Sequence, residues 1–563
     1  MQERSGQLGR HMKTLPEHAT EYRRSGWWLP ELLDAVVLAR DIYSGEKEAV
    51  ADSERRLTRA ELGAAVSACA ARLTDAGIRA GDRIVVQLPN NVEFLVVILA
   101  LISLGAPPVL ARPVLRDHEL NQVLLTMRPA ALAVPVHQDG FNYLAMAERL
   151  QARHPYVRLL LVSGATGKAD LGADQLDLTE LPAATQSGAP AYANDARQPT
   201  DIAFFLLSNG TTGPPKAIPR THEAYGHVIR VAAEVSGLTV DSVYLAAQTA
   251  SAGFVFGHPG VLGTLARGGR VVLTPPDDPA TALSLIERER VTHCALRPAV
   301  AMQWLSTMTS NQYNVSSLEV LQVGGSRLDV VLAARLSESF GCRIQQVYGM
   351  SEGLLNFTRL DDPVDVTWTT QGRPASPGDE TLIVDDAGHP VPEGQIGELI
   401  ARGPGITTGY YGGASSSSFT ADGYYRTGDL VSLHSSGNFV VAGRVKDVIN
   451  RAGQKVPSDE LEELTVRHPG VHSAAAVAMP HPLLGEAVCL YVVAEEHGTP
   501  TLQEIRAFLE QCGLAQYKLP ERLVLVSSLP LVGIGKINKV RLREDIAARI
   551  KSEPEPSLAT TAS

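Results

Sequence analysis

The chain has 563 residues, too many for a single hydrophobic core, so we expect about two to four structural units. Hydrophobic residues make up 44% of it and charged residues 20%, a balance typical of a folded globular protein. The net charge of −11 excludes general nucleic-acid binding, because that function needs a basic surface.

The five cysteines are far apart and form no C-x-x-C pair, which excludes a disulfide framework and a structural zinc site. This pattern predicts a reducing, cytoplasmic location. The longest apolar run, residues 94–104, is shorter than the roughly 18–20 residues that a membrane helix needs. We therefore expect no membrane partner, and we interpret the run as a buried helix capped by Asn90 or Asn91.

Helix and strand patterns alternate along the first two thirds of the chain. Residues 57–76 have helical apolar spacing and begin with a capping-box pattern of Thr58 and Glu61. Strands are predicted within residues 82–88, 131–136, 158–162 and 202–207, and a surface excursion over 164–199. Alternation of this kind predicts parallel sheets covered by helices.

The texture changes toward the C-terminus. Residues 382–425 are rich in β-formers and punctuated by Gly and Pro, and the last hundred residues alternate between helices from Ser458 and Leu502 and three strands. The predicted fold class is α/β, with a large N-terminal body of α/β subdomains, a β-rich subdomain, and a small α+β C-terminal domain on a hinge. The predicted ranges are a flexible arm over 1–26, a core domain over 27–445, a mobile domain over 446–550 and a disordered tail over 551–563.

A loop rich in Gly, Ser and Thr, residues 208–216 (SNGTTGPPK), follows the apolar run 202–207. Glycines let backbone N–H groups approach a phosphate, hydroxyls donate further hydrogen bonds, and the lysine neutralises charge. The Walker pattern is not satisfied, and the loop by itself also fits a flexible turn between strands. As a phosphate-binding loop, it offers Ser208, Asn209, Gly210, Thr211, Thr212, Gly213 and Lys216.

Four later segments complete a series: residues 346–352 (QVYGMSE), 425–429 (YRTGD), 443–447 (GRVKD) and 530–536 (PLVGIGK). In this order the five motifs closely resemble those of the adenylate-forming superfamily, which includes acyl- and aryl-CoA synthetases, nonribosomal-peptide adenylation domains and luciferases. Ser351 stands where threonine is usual. The resemblance covers about residues 27–550, and it implies an enzyme that uses ATP and Mg²⁺ to convert a carboxylic acid into an acyl-adenylate.

The resemblance implies a role for each motif. Attack of a carboxylate on the α-phosphate brings two anions together, so Lys536 would supply positive charge. Glu352 would bind Mg²⁺, and Asp429 would accept hydrogen bonds from the ribose, with Arg444 adding a contact. Lys446 would be the hinge about which the C-terminal domain rotates between the two half-reactions. Further ATP contacts are implied for Gly324, Gly325, Gln346, Val347, Tyr348, Gly349 and Ser351.

The body most resembles the stand-alone aryl-acid AMP ligases that activate 2,3-dihydroxybenzoate or salicylate. Matching stretches include residues 219–222 (PRTH), 321–325 (LQVGG) and 356–363 (NFTRLDDP). Amino-acid adenylation domains place an aspartate near residues 252–254, whereas 248–257 here contains no acid, which disfavours an α-amino acid. The implied substrate contacts are Ala252, Gly253, Phe254, Gly257, Val323, Gly349 and Met350.

The chain departs from these ligases at residues 251–254 (SAGF), where hydroxybenzoate ligases carry a His-Asn-Tyr type segment. Ala252 and Gly253 remove both volume and an amide that would contact an ortho hydroxyl. We therefore expect a roomier pocket for a 3-hydroxyanthranilate-like acid or a heteroaryl acid such as hydroxypicolinate or quinaldate. In the alternative, Ser251 or His258 supplies the contact, and salicylate or 2,3-dihydroxybenzoate of siderophore biosynthesis remains the substrate.

The chain ends about where an adenylation unit ends, so we expect transfer of the aryl group in trans. The acceptor is either the phosphopantetheine thiol of a carrier protein in nonribosomal peptide biosynthesis or free coenzyme A. Both carry the same thiol arm, so no motif separates them. A non-enzymatic protein that only binds the acid is disfavoured by the intact Lys536, Glu352 and Asp429.

Overall fold

The computed structural model describes residues 16–39, 43–164, 172–178, 196–208, 215–276, 278–310, 313–325, 327–328, 330–385, 387–413, 418–444, 448–495, 498–532 and 536–552. The chain divides between Val445 and Lys446 into two compact units. The predicted α/β class, with a small α+β unit at the C-terminus, is confirmed. Among the described residues, no helix has the length and apolarity to cross a bilayer.

The first sheet of the large unit has seven strands and is parallel except at one edge, where Ala217–Thr221 runs antiparallel to Ile202–Leu207. Its central strands are buried on both faces, which explains their continuous apolar sequences. The strands lie in the order Ala217–Thr221, Ile202–Leu207, Pro108–Leu110, Ile84–Val86, Ala131–Pro135, Leu159–Ser163 and Gln175–Asp177.

The second sheet has nine strands, with a parallel centre and antiparallel pairs at both ends. Its order is Arg373–Pro374, Leu355–Phe357, Arg343–Gly349, Val320–Gly324, His293–Leu296, Val243–Ala246, Arg270–Leu273, Glu48–Ala51 and Arg56–Thr58. The carboxyl ends of its parallel strands meet at one edge, and that edge carries most of the candidate site.

One hydrophobic core contains residues of both sheets, and the helix Val92–Ser103 lies within it. The Asn91 side chain accepts a hydrogen bond from Phe94 N at 2.9 Å, so the predicted cap falls on Asn91 rather than Asn90. The predicted capping box is also confirmed, because Thr58 and Glu61 exchange hydrogen bonds at the start of the helix Arg59–Asp75. The further α-helices of this unit are Pro16–Arg24, Leu33–Leu38, Asp117–Met127, Tyr143–Arg153, His222–Val235, Gly253–Gly257, Gly260–Ala266, Pro279–Glu289, Pro298–Ser310, Val330–Phe340 and Val364–Thr369.

The β-rich texture predicted over 382–425 corresponds to a four-stranded antiparallel sheet that extends further, to Arg444. Its strands are Glu380–Val384, Gly397–Arg402, Tyr425–Leu433 and Phe439–Arg444. The ladder places Asp429 directly opposite Arg444, so the predicted ribose motif and the start of the predicted hinge motif lie on neighbouring strands.

Two predictions differ from the structure. The predicted flexible arm over 1–26 contains the helix Pro16–Arg24, which packs on the body: Tyr22 is buried, and Arg23 forms a two-pronged ion pair with Glu223 at 2.8 and 3.1 Å. The predicted excursion over 164–199 contributes the edge strand Gln175–Asp177, and Arg72 Nη2 donates to Asp177 O at 2.7 Å. Residues 1–15, 165–171 and 179–195 of these two regions lie outside the described residues.

The small unit is built on a five-stranded sheet of Gln454–Pro457, Val448–Arg451, Gly485–Ala494, Val471–His481 and Arg522–Leu525. Its α-helices are Ser458–Thr465, Leu502–Gln511 and Lys539–Ser552. The pair Leu531–Val532 and Lys536–Ile537 forms a separate antiparallel ribbon. The last helix includes the first two residues of the predicted tail, and 553–563 lie outside the described residues.

Candidate active site

The strands Val320–Gly324 and Arg343–Gly349 are parallel neighbours, and their ends bring two predicted motifs together. Gly324 pairs with Val347, and a Cβ added at Gly324 would lie 2.5 Å from Val347 O and 3.1 Å from Phe254 Cζ. Only glycine fits there. Val323 is buried beneath this edge, and Gly325 turns the chain away with a φ of 88°. The predicted nucleotide and acid contacts therefore converge at the carboxyl edge, where α/β sheets bind ligands.

Gln346 lies in the same strand, but its side chain is committed to the protein interior. Its Nε2 donates to Thr367 O at 2.7 Å and to Trp368 O at 3.0 Å, and its Oε1 accepts from Gln371 Nε2 at 3.2 Å. Both amide hydrogens are used in this way. The side chain therefore fixes the end of the helix Val364–Thr369 against the strand. The backbone is engaged as well, because Gln346 N donates to Thr358 Oγ1 at 2.9 Å and Gln346 O accepts from Thr358 N at 3.0 Å.

Tyr348 joins two motifs that are far apart in the sequence. Its hydroxyl donates to Asp429 Oδ2 at 2.9 Å, and its carbonyl accepts from Asn356 Nδ2 at 3.0 Å. Asp429 is buried, and its backbone N–H donates to Thr427 Oγ1 at 3.1 Å. The predicted ribose acceptor is thus held in one orientation by a tyrosine that is itself predicted to contact ATP.

Glu352, the predicted metal ligand, is held by a tyrosine that sequence analysis missed. The Tyr410 hydroxyl donates to Glu352 Oε1 at 2.8 Å, and Lys216 Nζ lies 4.7 Å from the centroid of the Tyr410 ring. Burial, and next the Glu352 charge, raise the pKa of Tyr410 far above its usual value, so its hydroxyl stays a donor. The predicted phosphate-loop lysine and the predicted metal ligand thus contact one side chain.

A single carboxylate is what Mg²⁺ bound to a nucleotide requires, because phosphates and water supply its other oxygens. Within the described part of the chain, no group of three or more His, Cys, Asp or Glu side chains is arranged to hold a metal by itself. The oriented Glu352 carboxylate fits a Mg²⁺–ATP complex on these grounds.

Arg220 fixes the turn that carries Glu352. Its Nη1 donates to Glu352 O at 3.0 Å and its Nη2 to Gly405 O at 2.6 Å, so the guanidinium joins two turns. A Cβ added at Gly353 would lie 2.0 Å from Gly405 O, which shows how closely these turns approach. Burial lowers the pKa of Arg220 to about 10, still high enough for a full positive charge at neutral pH. Its role here gave no sequence signal, because carbonyl partners follow no motif.

The segment before the predicted acid-binding residues is fixed by a buried amide. Asn90 Nδ2 donates to the carbonyls of Gln248, Thr274 and Ala246 at 2.7, 3.0 and 3.2 Å, and its Oδ1 accepts from Ala250 N at 2.7 Å. This contact leads the chain into the short helix Gly253–Gly257. Asn90, which does not cap the helix Val92–Ser103, therefore positions the chain that leads into the helix Gly253–Gly257.

The volume that Gly253 was predicted to leave open is filled. A Cβ added there would lie 3.2 Å from His258 Cε1 and 3.3 Å from Leu206 Cδ1, and one added at Gly257 would lie 2.4 Å from the Tyr225 hydroxyl. The expectation of a roomier pocket at Gly253 is therefore wrong. Glycine suits this position because a larger residue would press its Cβ against the His258 ring and Leu206, one of which would have to shift.

Among the buried side-chain atoms of the described residues that have no hydrogen-bond partner are His258 Nε2, Ser251 Oγ and the Tyr225 hydroxyl. His258 is only 4% exposed, and burial, with a smaller contribution from the Arg220 charge, lowers its pKa to about 3. The imidazole is thus neutral at physiological pH. Unsatisfied buried groups are rare in proteins and mark places where a ligand or water completes the structure.

Several predicted site residues cannot be assigned contacts. Asn209, Gly210, Thr211, Thr212, Gly213 and Lys446 lie outside the described residues. Arg444 and Lys536 are placed by their backbones alone, the first opposite Asp429 and the second opposite Val532. Met350 and Ser351 form the turn before Glu352, where Met350 N donates to Leu354 O at 3.1 Å.

Comparison with known proteins supports the resemblance drawn from the motifs. A family model described as AMP-binding enzyme matches residues 41–411, and one described as AMP-binding enzyme C-terminal domain matches 460–536. A Streptomyces protein named salicylyl-CoA synthase / salicylate adenylyltransferase is 44% identical, covering 95% of this chain and 97% of that protein. The salicyl-AMP ligase / salicyl-S-ArCP synthetase of Mycobacterium tuberculosis is 40% identical, over 95% and 94% of the two chains.

The fold is also similar to a solved structure. The apo structure of MbtA from Mycobacterium smegmatis is 39% identical and superposes with a TM-score of 0.72, covering 95% of this chain and 99% of that one. The two family models match residues in both units of this chain, which also contains the five motifs. The chain therefore belongs to the AMP-binding enzyme family and is an adenylate-forming ligase that uses ATP.

Proposed function

We propose that this protein activates an aryl carboxylic acid with ATP to form an aryl-adenylate and pyrophosphate, and then transfers the aryl group to a thiol. The observation that carries the proposal is that tyrosines orient two of the predicted ligand-binding carboxylates: Tyr348 donates to Asp429, and Tyr410 donates to Glu352. The aryl class is supported by the relatives that act on salicylate and by the lack of any acidic side chain in residues 248–257.

In the first half-reaction, Asp429 accepts hydrogen bonds from the ribose hydroxyls, and Glu352 is the residue that would hold the Mg²⁺ accompanying ATP. Bound there, Mg²⁺ would neutralise phosphate charge. The acid carboxylate attacks the α-phosphorus, the new P–O bond forms as the bond to pyrophosphate breaks, and Lys536 stabilises the added negative charge. The buried Arg220, beneath the Glu352 turn, contributes a further positive field at the same edge.

The second half-reaction uses a different orientation of the C-terminal domain. We propose that the domain of residues 446–550 rotates about Lys446, so that Lys536 serves adenylation alone. The support is the family match in both regions and the position of the hinge motif between them.

We favour a carrier-protein thiol over coenzyme A as the acceptor. The names of the two relatives include both kinds of product, so the acceptor needs its own assay. A cytoplasmic location is supported by the five free cysteines.

One contact bears on the choice of substrate within the aryl class. Because His258 and Leu206 pack against Gly253, the argument for a bicyclic acid is lost. We propose a single-ring acid with a hydrogen-bonding group ortho to the carboxylate, of the 3-hydroxyanthranilate or salicylate type. The hydroxyl of Ser251 and His258 Nε2 have no hydrogen-bond partner among the described residues, and they are our candidates for a contact with such a group.

An ATP–pyrophosphate exchange assay with a panel of acids tests the proposal. The panel contains benzoate, salicylate, 2,3-dihydroxybenzoate, 3-hydroxyanthranilate, 3-hydroxypicolinate and quinaldate, with phenylalanine as an α-amino acid control. Exchange that depends on an ortho-substituted aryl acid and is absent with phenylalanine supports the proposal. Exchange with phenylalanine and none with any aryl acid contradicts it.

A further inference from the structure

The N-terminal segment of the described chain leads to a tryptophan that is buried in the body. Trp28 follows the helix Pro16–Arg24 and is 8% exposed, and its indole Nε1 donates to Pro404 O at 2.8 Å. The two residues are 376 positions apart, so the hydrogen bond is a tertiary contact that no motif describes. It connects the N-terminal segment to the turn in which Ile406 N donates to Gly403 O at 3.1 Å.

The Trp28 ring is held on more than one side. The Tyr22 ring meets it edge-on, with the centroids 5.1 Å apart, and the Arg23 guanidinium lies 5.4 Å from its centroid. Arg23 is fixed in turn by its ion pair with the buried Glu223. Aromatic and cation–π contacts both depend on ring orientation, so these neighbours keep the indole N–H directed at Pro404 O.

The segment that begins at this proline meets the Glu352 turn at three points. Gly405 O accepts from Arg220 Nη2 at 2.6 Å, and Nη1 of the same guanidinium donates to Glu352 O at 3.0 Å. Thr407 N donates to Glu352 O at 2.7 Å, and the Tyr410 hydroxyl donates to Glu352 Oε1 at 2.8 Å. A displacement of the segment would therefore move all three contacts of Glu352 together.

We infer that Trp28 is a positioning residue for the metal site: its indole N–H fixes the segment of residues 404–410, and that segment fixes the Glu352 carboxylate. The inference rests on the metal role that the proposed function gives to Glu352, and it adds to the site a residue from the N-terminal segment. Trp28 acts through the segment rather than on a ligand. Its loss should therefore reduce the contribution of Mg²⁺ to nucleotide binding and leave the affinity for metal-free ATP unchanged.

Two substitutions separate the hydrogen bond from the packing. Trp28→Phe keeps an aromatic ring and removes the donor. Trp28→His loses the six-membered ring but can donate from Nε2, which lies two bonds from Cγ as the indole Nε1 does. The control is Trp304→Phe, which removes an indole that is 1% exposed and packs beside Phe340 in a hydrophobic cluster that does not include Tyr410.

Calorimetry of the full-length proteins, without any acid, measures the dissociation constant of ATP once with Mg²⁺ and once with EDTA. The ratio of the two constants gives the tightening due to the metal. We expect Trp28→Phe to reduce this ratio about 3- to 10-fold, less than the 10- to 100-fold typical of a group that contacts a metal ligand directly. Trp28→His should keep most of the ratio and Trp304→Phe all of it, with one dissociation constant in EDTA for every protein. The Mg²⁺ concentration for half-maximal pyrophosphate exchange should rise in Trp28→Phe by the same factor.

Glu352→Gln, measured in parallel, separates the two levels of the proposal. If it leaves the ratio unchanged, the metal role of Glu352 fails and the inference falls with it. If Glu352→Gln lowers the ratio and Trp28→Phe does not, the metal role stands and the role of Trp28 is overturned. Equal losses in Trp28→Phe and Trp28→His, or weaker binding of ATP in EDTA, also overturn it, because packing then explains the effect.

The inference stays testable if the first variant is unstable. If Trp28→Phe does not fold, Trp28→Met is measured in its place, because methionine also lacks a donor and fills irregular buried space. An unchanged ratio in that variant overturns the role of Trp28. A lack of pyrophosphate exchange with any aryl acid in the unmodified protein refutes the proposed function, while the binding ratio still decides the role of Trp28.

Discussion

The hydrogen bond from Tyr410 to Glu352 offers a sharp test of the metal site. Tyr410→Phe removes one hydroxyl and keeps the ring, so the Lys216 ammonium 4.7 Å from the ring centroid retains its contact. What is lost is the 2.8 Å hydrogen bond to Glu352 Oε1, together with a longer contact of 3.5 Å to the Tyr425 hydroxyl. Both side chains are buried, so water does not readily replace that hydrogen bond.

The size of the effect follows from two independent estimates. A hydrogen bond to a charged group contributes about 1.5–3 kcal/mol, which corresponds to roughly 10- to 150-fold in an equilibrium constant. Loss of a group that orients a metal ligand typically weakens metal binding by about 10- to 100-fold. We therefore predict that Tyr410→Phe raises the Mg²⁺ concentration for half-maximal pyrophosphate exchange by about 10- to 100-fold.

The matched control is Tyr424→Phe. The Tyr424 hydroxyl also donates to a carboxylate, Glu380 Oε2 at 3.2 Å, and Arg402 lies over its ring at 4.4 Å. This variant loses the same kind of bond without contacting Glu352, so its Mg²⁺ titration should match that of the unmodified protein. A Tyr410→Phe protein that folds normally and shows an unchanged Mg²⁺ titration would refute the role given to Tyr410.

The remaining predictions use the same assays. Lys536→Ala should lower aryl-adenylate formation by about 100-fold or more and spare thiol transfer from supplied aryl-adenylate; equal losses in both steps contradict its assigned role. Glu352→Gln should also raise the Mg²⁺ requirement, and an unchanged titration would place the metal ligand elsewhere. Gly253→Asn should lower kcat/KM for every ring acid by displacing the His258 ring, since even its Cβ would meet Cε1 at 3.2 Å; improved activity with salicylate would instead support the open pocket expected from the sequence.

Local sequence patterns predicted much of the fold because their causes are local. The capping box of Thr58 and Glu61 spans one helical turn, and its interactions appear as predicted. The strand Ala131–Pro135 is buried at every position, as an uninterrupted apolar run in a parallel sheet requires. The edge strand Gln175–Asp177 was missed, because a short strand at a sheet edge has little apolar pattern of its own.

The side-chain contacts of the site were harder to predict from the sequence than its motif residues. The motifs identified Glu352 and Asp429, but Tyr410 is 58 residues from the carboxylate that it orients and belongs to no motif that we identified. Gly253 was interpreted as missing volume, whereas the ring of a residue five positions later fills that space. The direction in which a side chain packs at the end of a short helix depends on tertiary contacts. The sequence therefore identified Gly253 but did not show that the His258 ring packs against it.

In the proposed adenylation, an oxygen of the acid attacks the α-phosphorus of ATP. The most direct measurement uses salicylate labelled with ¹⁸O in both carboxylate oxygens, unlabelled ATP and a thiol acceptor, with the products analysed by mass spectrometry. Adenylation predicts that each released AMP carries one ¹⁸O and that the aryl thioester keeps the other, with unlabelled pyrophosphate. Unlabelled AMP, or ADP with labelled inorganic phosphate, would contradict the account.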